Sequence, residues 1–230
     1  MALPLLLVVA GAAAAPVPPE TPAARLRRVY GTPDDPTGRA VFSLGEGDRL
    51  AVRSAQRTGP PSDPLQTAPR TARTVTGDFV LTVRHLAPAA PDLSPSTDTG
   101  GPQAAAGLYA AGGSGEAVAV GRRFYRLLNA RGMAAPPGQS VWLEQYQADG
   151  ASGSRLAEAA ADRPVYLRLV RSGGRLRADT SVDGKTWGDG WAVDRVTLPD
   201  KVTVGVFLTH MVYTHCDAVF DEFNLTRPAK

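Results

Sequence analysis

The chain has 230 residues, with 25 basic side chains against 22 acidic ones and a net charge of +3. A chain of this length suits one all-β domain better than two. Nearly all the positive charge is arginine interleaved with Asp and Glu, with no helical, finger or stacking module beside it, so nucleic acid is excluded as a partner. Cys216 is the sole cysteine, so no intramolecular disulfide can form and stability has to come from packing.

Residues 1–15 read as an export signal. Leu3 to Ala10 is an apolar run, and Gly11 to Ala15 supplies the small residues a signal peptidase accepts. The run is shorter than the about 20 residues a membrane helix needs, so the expected location is secreted or periplasmic, with no membrane span after cleavage. Residues 16–24 are Pro-rich and read as a tether, leaving 25–230 for the domain. Within it, the cluster Arg25-Leu26-Arg27-Arg28 and the pair Arg122-Arg123 are the basic spots that could touch phosphates.

The domain divides into short segments separated by Gly, Pro, Asp and Ser. Expected strands are 49–54, 78–86, 107–111, 124–128, 142–147, 165–171, 176–181, 202–208 and 218–225. Alternation is clearest where Phe79, Leu81 and Val83 oppose Val80, Thr82 and Arg84, and where Val165, Leu167 and Leu169 oppose Tyr166, Arg168 and Val170. In the last strand Ala218 and Phe220 share one parity and Phe223 and Leu225 the other, which requires a bulge near Asp221. Residues 87–103 read as a long loop, 112–115 and 150–153 as flexible loops, and 156–161 as a helical turn or two. About ten short strands without a long helix imply an all-β sandwich of two packed antiparallel sheets.

The most specific local signal is Ser181-Val182-Asp183-Gly184-Lys185-Thr186-Trp187. Asp-Gly is a hairpin pair, because Asp bonds to the backbone that follows it and Gly accepts positive φ. Trp187 is expected to pack back over the turn as a core plug. The ordered pieces Gly77-Asp78-Phe79, Ala106-Gly107-Leu108-Tyr109, Tyr166 to Arg171, this hairpin, Val204-Gly205-Val206 and Phe220-Asp221-Glu222-Phe223 span residues 78–226. In that order they resemble the DUF1349 group of concanavalin A-like lectin/glucanase domains. The resemblance implies a jelly-roll sandwich of the kind found with carbohydrate-active proteins, and it carries over no catalytic residue. The stretch from Met133 to Asp162 departs from the group's compact pattern.

Candidate site residues come from strand parity and loop placement. On a strand, Trp142, Glu144 and Tyr146 form a row of aromatic, carboxylate and aromatic on one face, where a sugar could stack; the plain alternative for Glu144 is an edge carboxylate in water. Trp191, near Gly188-Asp189-Gly190, is a second platform candidate. Glycoside hydrolysis needs two carboxyl groups flanking the sugar bond, and the row supplies one, so no catalytic residue is assigned. Asp221 and Glu222 are neighbours and would face opposite ways without a bulge. His210 and His215 are spaced for opposite faces, so no metal and no cofactor is expected. Cys216 has no base near it in sequence and reads as a buried thiol. The expected function is non-catalytic recognition, with carbohydrate as first partner; the alternatives are a protein-interaction or structural module and, third, a glycoside hydrolase.

Overall fold

The computed structural model describes residues 19–55, 64–86, 93, 103–126, 138–147, 150–158, 163–212 and 214–228. The signal segment, most of the loop over 87–103 and part of the stretch from Met133 to Asp162 lie outside the described residues.

Fourteen strands form two seven-stranded sheets, antiparallel at every pairing. The first sheet runs in the order β1 (Thr32–Asp34), β4 (Arg70–Thr76), β13 (Lys201–His210), β6 (Gln103–Ala111), β7 (Ala117–Tyr125), β8 (Gly138–Gln147) and β9 (Gly150–Glu158). The second runs β12 (Trp191–Ala192), β11 (Arg175–Ser181), β10 (Val165–Ser172), β5 (Phe79–His85), β14 (Cys216–Thr226), β3 (Leu50–Ser54) and β2 (Ala40–Leu44). Their inner faces meet in one continuous core. Leu81, Val83, Leu167, Leu169 and Phe220 from the second sheet pack with Val118, Val120, Val204 and Val206 from the first. This is the sandwich the alternation implied.

Several expectations change. Pro22 to Ala24, read as tether, open the helix α1 (Pro22–Val29): the Thr21 hydroxyl caps it by accepting from the Ala24 N–H at 3.2 Å, and Pro22 takes a first-turn position that needs no donor. The helix is anchored by Tyr30, which is fully buried with its hydroxyl 2.9 Å from the Asp48 carbonyl oxygen and 3.1 Å from that of Phe220. Two of the basic residues here are spent on ion pairs, Arg25 with Asp48 and Arg28 with Glu20. Residues 150–153 and 156–158, read as loop and helical turn, belong to the edge strand β9, which pairs antiparallel with β8 along its length apart from one irregularity between Val141 and Trp142. The strand expected to begin at Phe124 begins at Ala117.

The bulge required in the last strand is present. Register along β14 shifts between Asp221 and Asn224, and Glu222 takes φ 51° to absorb the extra residue. Ala218 and Phe220 are fully buried on one side of it, while Phe223 and Leu225 pack half-buried against the same core on the other. No helix among the described residues is long and apolar enough to cross a membrane.

Candidate functional site

Strand β8 lies between β7 and the edge strand β9, within the stretch that departs from the compact pattern. Val141 and Leu143 enter the core, so Ser140, Trp142, Glu144 and Tyr146 alternate onto the outer face. Apart from Arg155, the cross-strand neighbours are small. Glu144 faces Ala119 on β7 and Gly153 on β9, Tyr146 faces Ala117 and Ala151, and Trp142 faces Gly121 and Arg155. Small neighbours let the rings lie down on the sheet: a Cβ at Gly153 would be 3.4 Å from the Trp142 ring.

The row is joined by Arg123 of β7. Its guanidinium carbon stands 5.0 Å from the centroid of Trp142 and one of its nitrogens is 3.0 Å from Glu144 Oε1. Tyr146 donates its hydroxyl proton to the other oxygen, Glu144 Oε2. The Trp142 indole N–H donates to the Ser140 hydroxyl at 2.6 Å. Arg123 and Glu144 side chains are only 19% and 15% exposed, so the pair is screened less than a surface salt bridge and its geometry is held. Glu144 is therefore neither a solvated edge group nor a free base. It is a fixed acceptor, oriented from both sides.

Tyr146 differs from the flat platform that its type and spacing suggested. It is 4% exposed and belongs to a second apolar cluster on this outer face, with Tyr109 of β6, Phe207 of β13 and Leu65 of the short helix α2 (Pro64–Thr67). Tyr109 donates to the Thr71 carbonyl oxygen at 2.9 Å, which pins the far side of that cluster. The backbones come close beneath it: a Cβ at Gly107 would fall 2.1 Å from the Val120 oxygen, and one at Gly121 3.3 Å from the Phe207 ring. Beyond Ala117 the same face opens into a pocket of about 470 Å³ between Leu65, Asp34, Arg70, Glu116 and Thr203. Asp34 is held there by Arg70 at 2.6 Å.

Trp191 does not join this group. It sits on β12, at the edge of the other sheet, 49% exposed. Trp187 is half-buried on the outer side of that sheet, under the Arg168 guanidinium at 4.1 Å, and is not in the core. The hairpin turns outward because Gly184 rests against the Tyr166 ring, where a Cβ would be 2.7 Å away. The bulge in β14 brings Asp221 and Glu222 to one guanidinium, with Arg84 at 2.6 Å and 3.2 Å. His210 is buried and His215 exposed, and no group of three metal-binding side chains occurs among the described residues. Burial pushes the Cys216 thiol up to about 12, which keeps it protonated and unreactive.

Sequence reasoning reached the row on β8 by parity and missed Arg123, Ser140 and Arg155, since only the register of three strands brings them beside it. The adjacent pair Arg122-Arg123 was a usable signal: neighbours on a strand face opposite ways, so one of the two had to enter the core. Arg122 does, donating to the Arg163 carbonyl oxygen.

Two seven-stranded antiparallel sheets packed in this way form the concanavalin A-like jelly-roll sandwich. No family model matches the chain, and no curated protein matches it. Solved structures do share its fold. A functionally unknown protein from Saccharomyces cerevisiae matches with a TM-score of 0.59 at 16% identity, over 86% of this chain and 97% of that one. A GH43 protein from Bacillus licheniformis matches at 0.56 and 15%, over 85% of this chain and 36% of the other, so this chain spans about a third of that protein. An alginate lyase from Klebsiella pneumoniae matches at 0.52 and 9%, over 82% and 84%. At such identities the likeness establishes the fold.

Proposed function

We propose that the chain is an exported, non-catalytic recognition domain of the DUF1349 kind, which binds carbohydrate on the outer face of its first sheet. The observation that carries this reading is the assembly of Trp142, Arg123 and Glu144 on one sheet face. A half-buried indole offers an apolar surface to the C–H side of a sugar ring, and a guanidinium and a carboxylate fixed against each other offer donors and an acceptor to its hydroxyls. Tyr146 acts as a positioning residue for Glu144, and Arg155, exposed on β9 beside Trp142, extends the rim. Proteins sharing the fold include an alginate lyase and a GH43 protein, and two arginines around one carboxylate suit an acidic chain such as alginate. Glu144, bound on both sides, is poorly placed to exchange a proton with substrate, which favours binding over hydrolysis.

The test is a polysaccharide and oligosaccharide array probed with the mature domain and with Trp142→Ala. Binding that falls about tenfold or more in the variant, with an unchanged melting profile, supports the reading. Binding to no glycan would sink it and favour a protein partner. Export is tested by sequencing the N-terminus of the protein recovered outside the cytoplasm, which should begin after the leader over residues 1–15.

A further inference from the structure

The outer face of the second sheet carries a groove of about 520 Å³. Tyr166 and Arg168 of β10 and Thr82 of β5 form its floor, Glu222 and Asn224 of β14 one wall, and Trp187 of the Asp-Gly hairpin another. Two features of the sequence converge there. The hairpin is fixed by the Ser181 hydroxyl, which accepts from the Asp183 and Gly184 N–H groups, and by Asp183 Oδ1, which accepts from Lys185 and Thr186 at 2.8 Å. That network holds Trp187 over the groove. On the opposite wall the bulge puts Glu222, a non-glycine residue, at φ 51°, and left-handed strain of this kind collects where a side chain has to be re-aimed.

The charges around the groove are already balanced. Arg168 and Arg177 meet Asp179 at 2.5 Å and 3.3 Å, and Arg84 meets Asp221 and Glu222 at 2.6 Å and 3.2 Å. Three guanidiniums stand against three carboxylates. A charged ligand would have to break these pairs, whereas an uncharged one can use the groups that still reach water: Glu222, with its side chain 52% exposed, and the exposed Asn224. Tyr166 bridges toward Glu222, its hydroxyl 3.2 Å from Oε2. An aromatic wall facing a carboxylate and an amide is the arrangement that binds a ring with one apolar face and hydroxyls at its edge.

We propose that this groove is a second binding site, for a neutral saccharide, on the opposite side of the sandwich from the first. Trp187, one face of which lies under the Arg168 guanidinium, meets the ring with its remaining exposed surface, and Glu222 and Asn224 bind its hydroxyls. With sites on both outer faces the domain is bivalent toward polysaccharide and can hold two chains at once.

The test is calorimetric titration of the full chain with cellohexaose, xylohexaose and an alginate hexamer, in wild type, Trp142→Ala, Trp187→Ala and Asn224→Ala. The expected result is that Trp142→Ala still binds one of the neutral hexamers, and that Trp187→Ala and Asn224→Ala each weaken this binding about tenfold or more. Asn224 is an exposed surface residue, so its variant reports on the groove even if loss of Trp187 loosens the hairpin. If Trp142→Ala binds neither neutral hexamer, or if both groove variants bind as wild type does, the proposal is overturned. Loss of alginate binding in Trp142→Ala alone reads out the first face separately.

Discussion

Glu144 is fixed by two different kinds of partner, a guanidinium and a phenol, and the two can be removed one at a time. Tyr146→Phe deletes only the hydroxyl that donates to the carboxylate. A hydrogen bond to a charged group contributes about 1.5 to 3 kcal/mol, so urea unfolding should show a loss near the low end of that range, because the Arg123 pair survives, together with weaker glycan binding. His85 gives a second test at this scale. Its ring is fully buried, faces Arg122 from the other sheet and Phe220 at 5.2 Å, and neither ring nitrogen has a hydrogen-bond partner among the described residues. Burial first, and then the Arg122 charge, depress it from 6.5 to about 3. As pH falls through about 6.5 the unfolded chain takes up a proton that the folded chain refuses until about 3. Stability from this group is therefore present above about 6.5 and lost on acidification, with a limiting slope of about 1.4 kcal/mol per pH unit. Denaturant midpoints measured from pH 7 to pH 4 should fall, and His85→Leu should flatten the fall.

Elements show where strand formation was legible and where it was not. Strands β5 and β10 alternate cleanly because one face packs the core and the other is partly open to water. Strand β6, buried on both faces from Ala104 to Ala110, has no alternation to read. Strand β9 is rich in Gly, Ser and Ala, and reads as a loop because small residues are what the rings on β8 require beside them. The Asp-Gly hairpin was legible as a turn, but the direction in which it presents Trp187 depends on its contact with Tyr166. Gly184 has φ 71° and no room for a side chain on that side. Gly184→Ala should therefore cost about 1 to 3 kcal/mol from backbone strain and displacement of Tyr166, and it should weaken neutral-sugar binding in the groove without changing the first face. Melting temperature and titration measured on the same variant separate the two effects.

The described residues form two sheets closed on one continuous apolar core, and the two proposed binding surfaces lie on their outer faces. The class of fold followed from strand number and parity, because a chain with one cysteine and no long helix among its described residues has few other ways to bury its alternating strands. The assembly of a face did not follow, because it depends on the order β7, β8, β9, which only the ladder registers fix. Since the core is shared by both sheets, truncating a central residue should loosen the entire domain: Leu167→Ala, fully buried between them, should lose about 2 to 5 kcal/mol and shift one common transition seen by circular dichroism and tryptophan fluorescence. The most direct measurement is a crystal structure of the domain with the oligosaccharide that binds best on the array. A sugar ring against Trp142, with hydroxyls on Glu144, hydroxyls or a carboxylate on Arg123 or Arg155, and its glycosidic bonds intact, is the expected result. An empty first-sheet face with the sugar bound elsewhere, or a cleaved chain in the site, would contradict it.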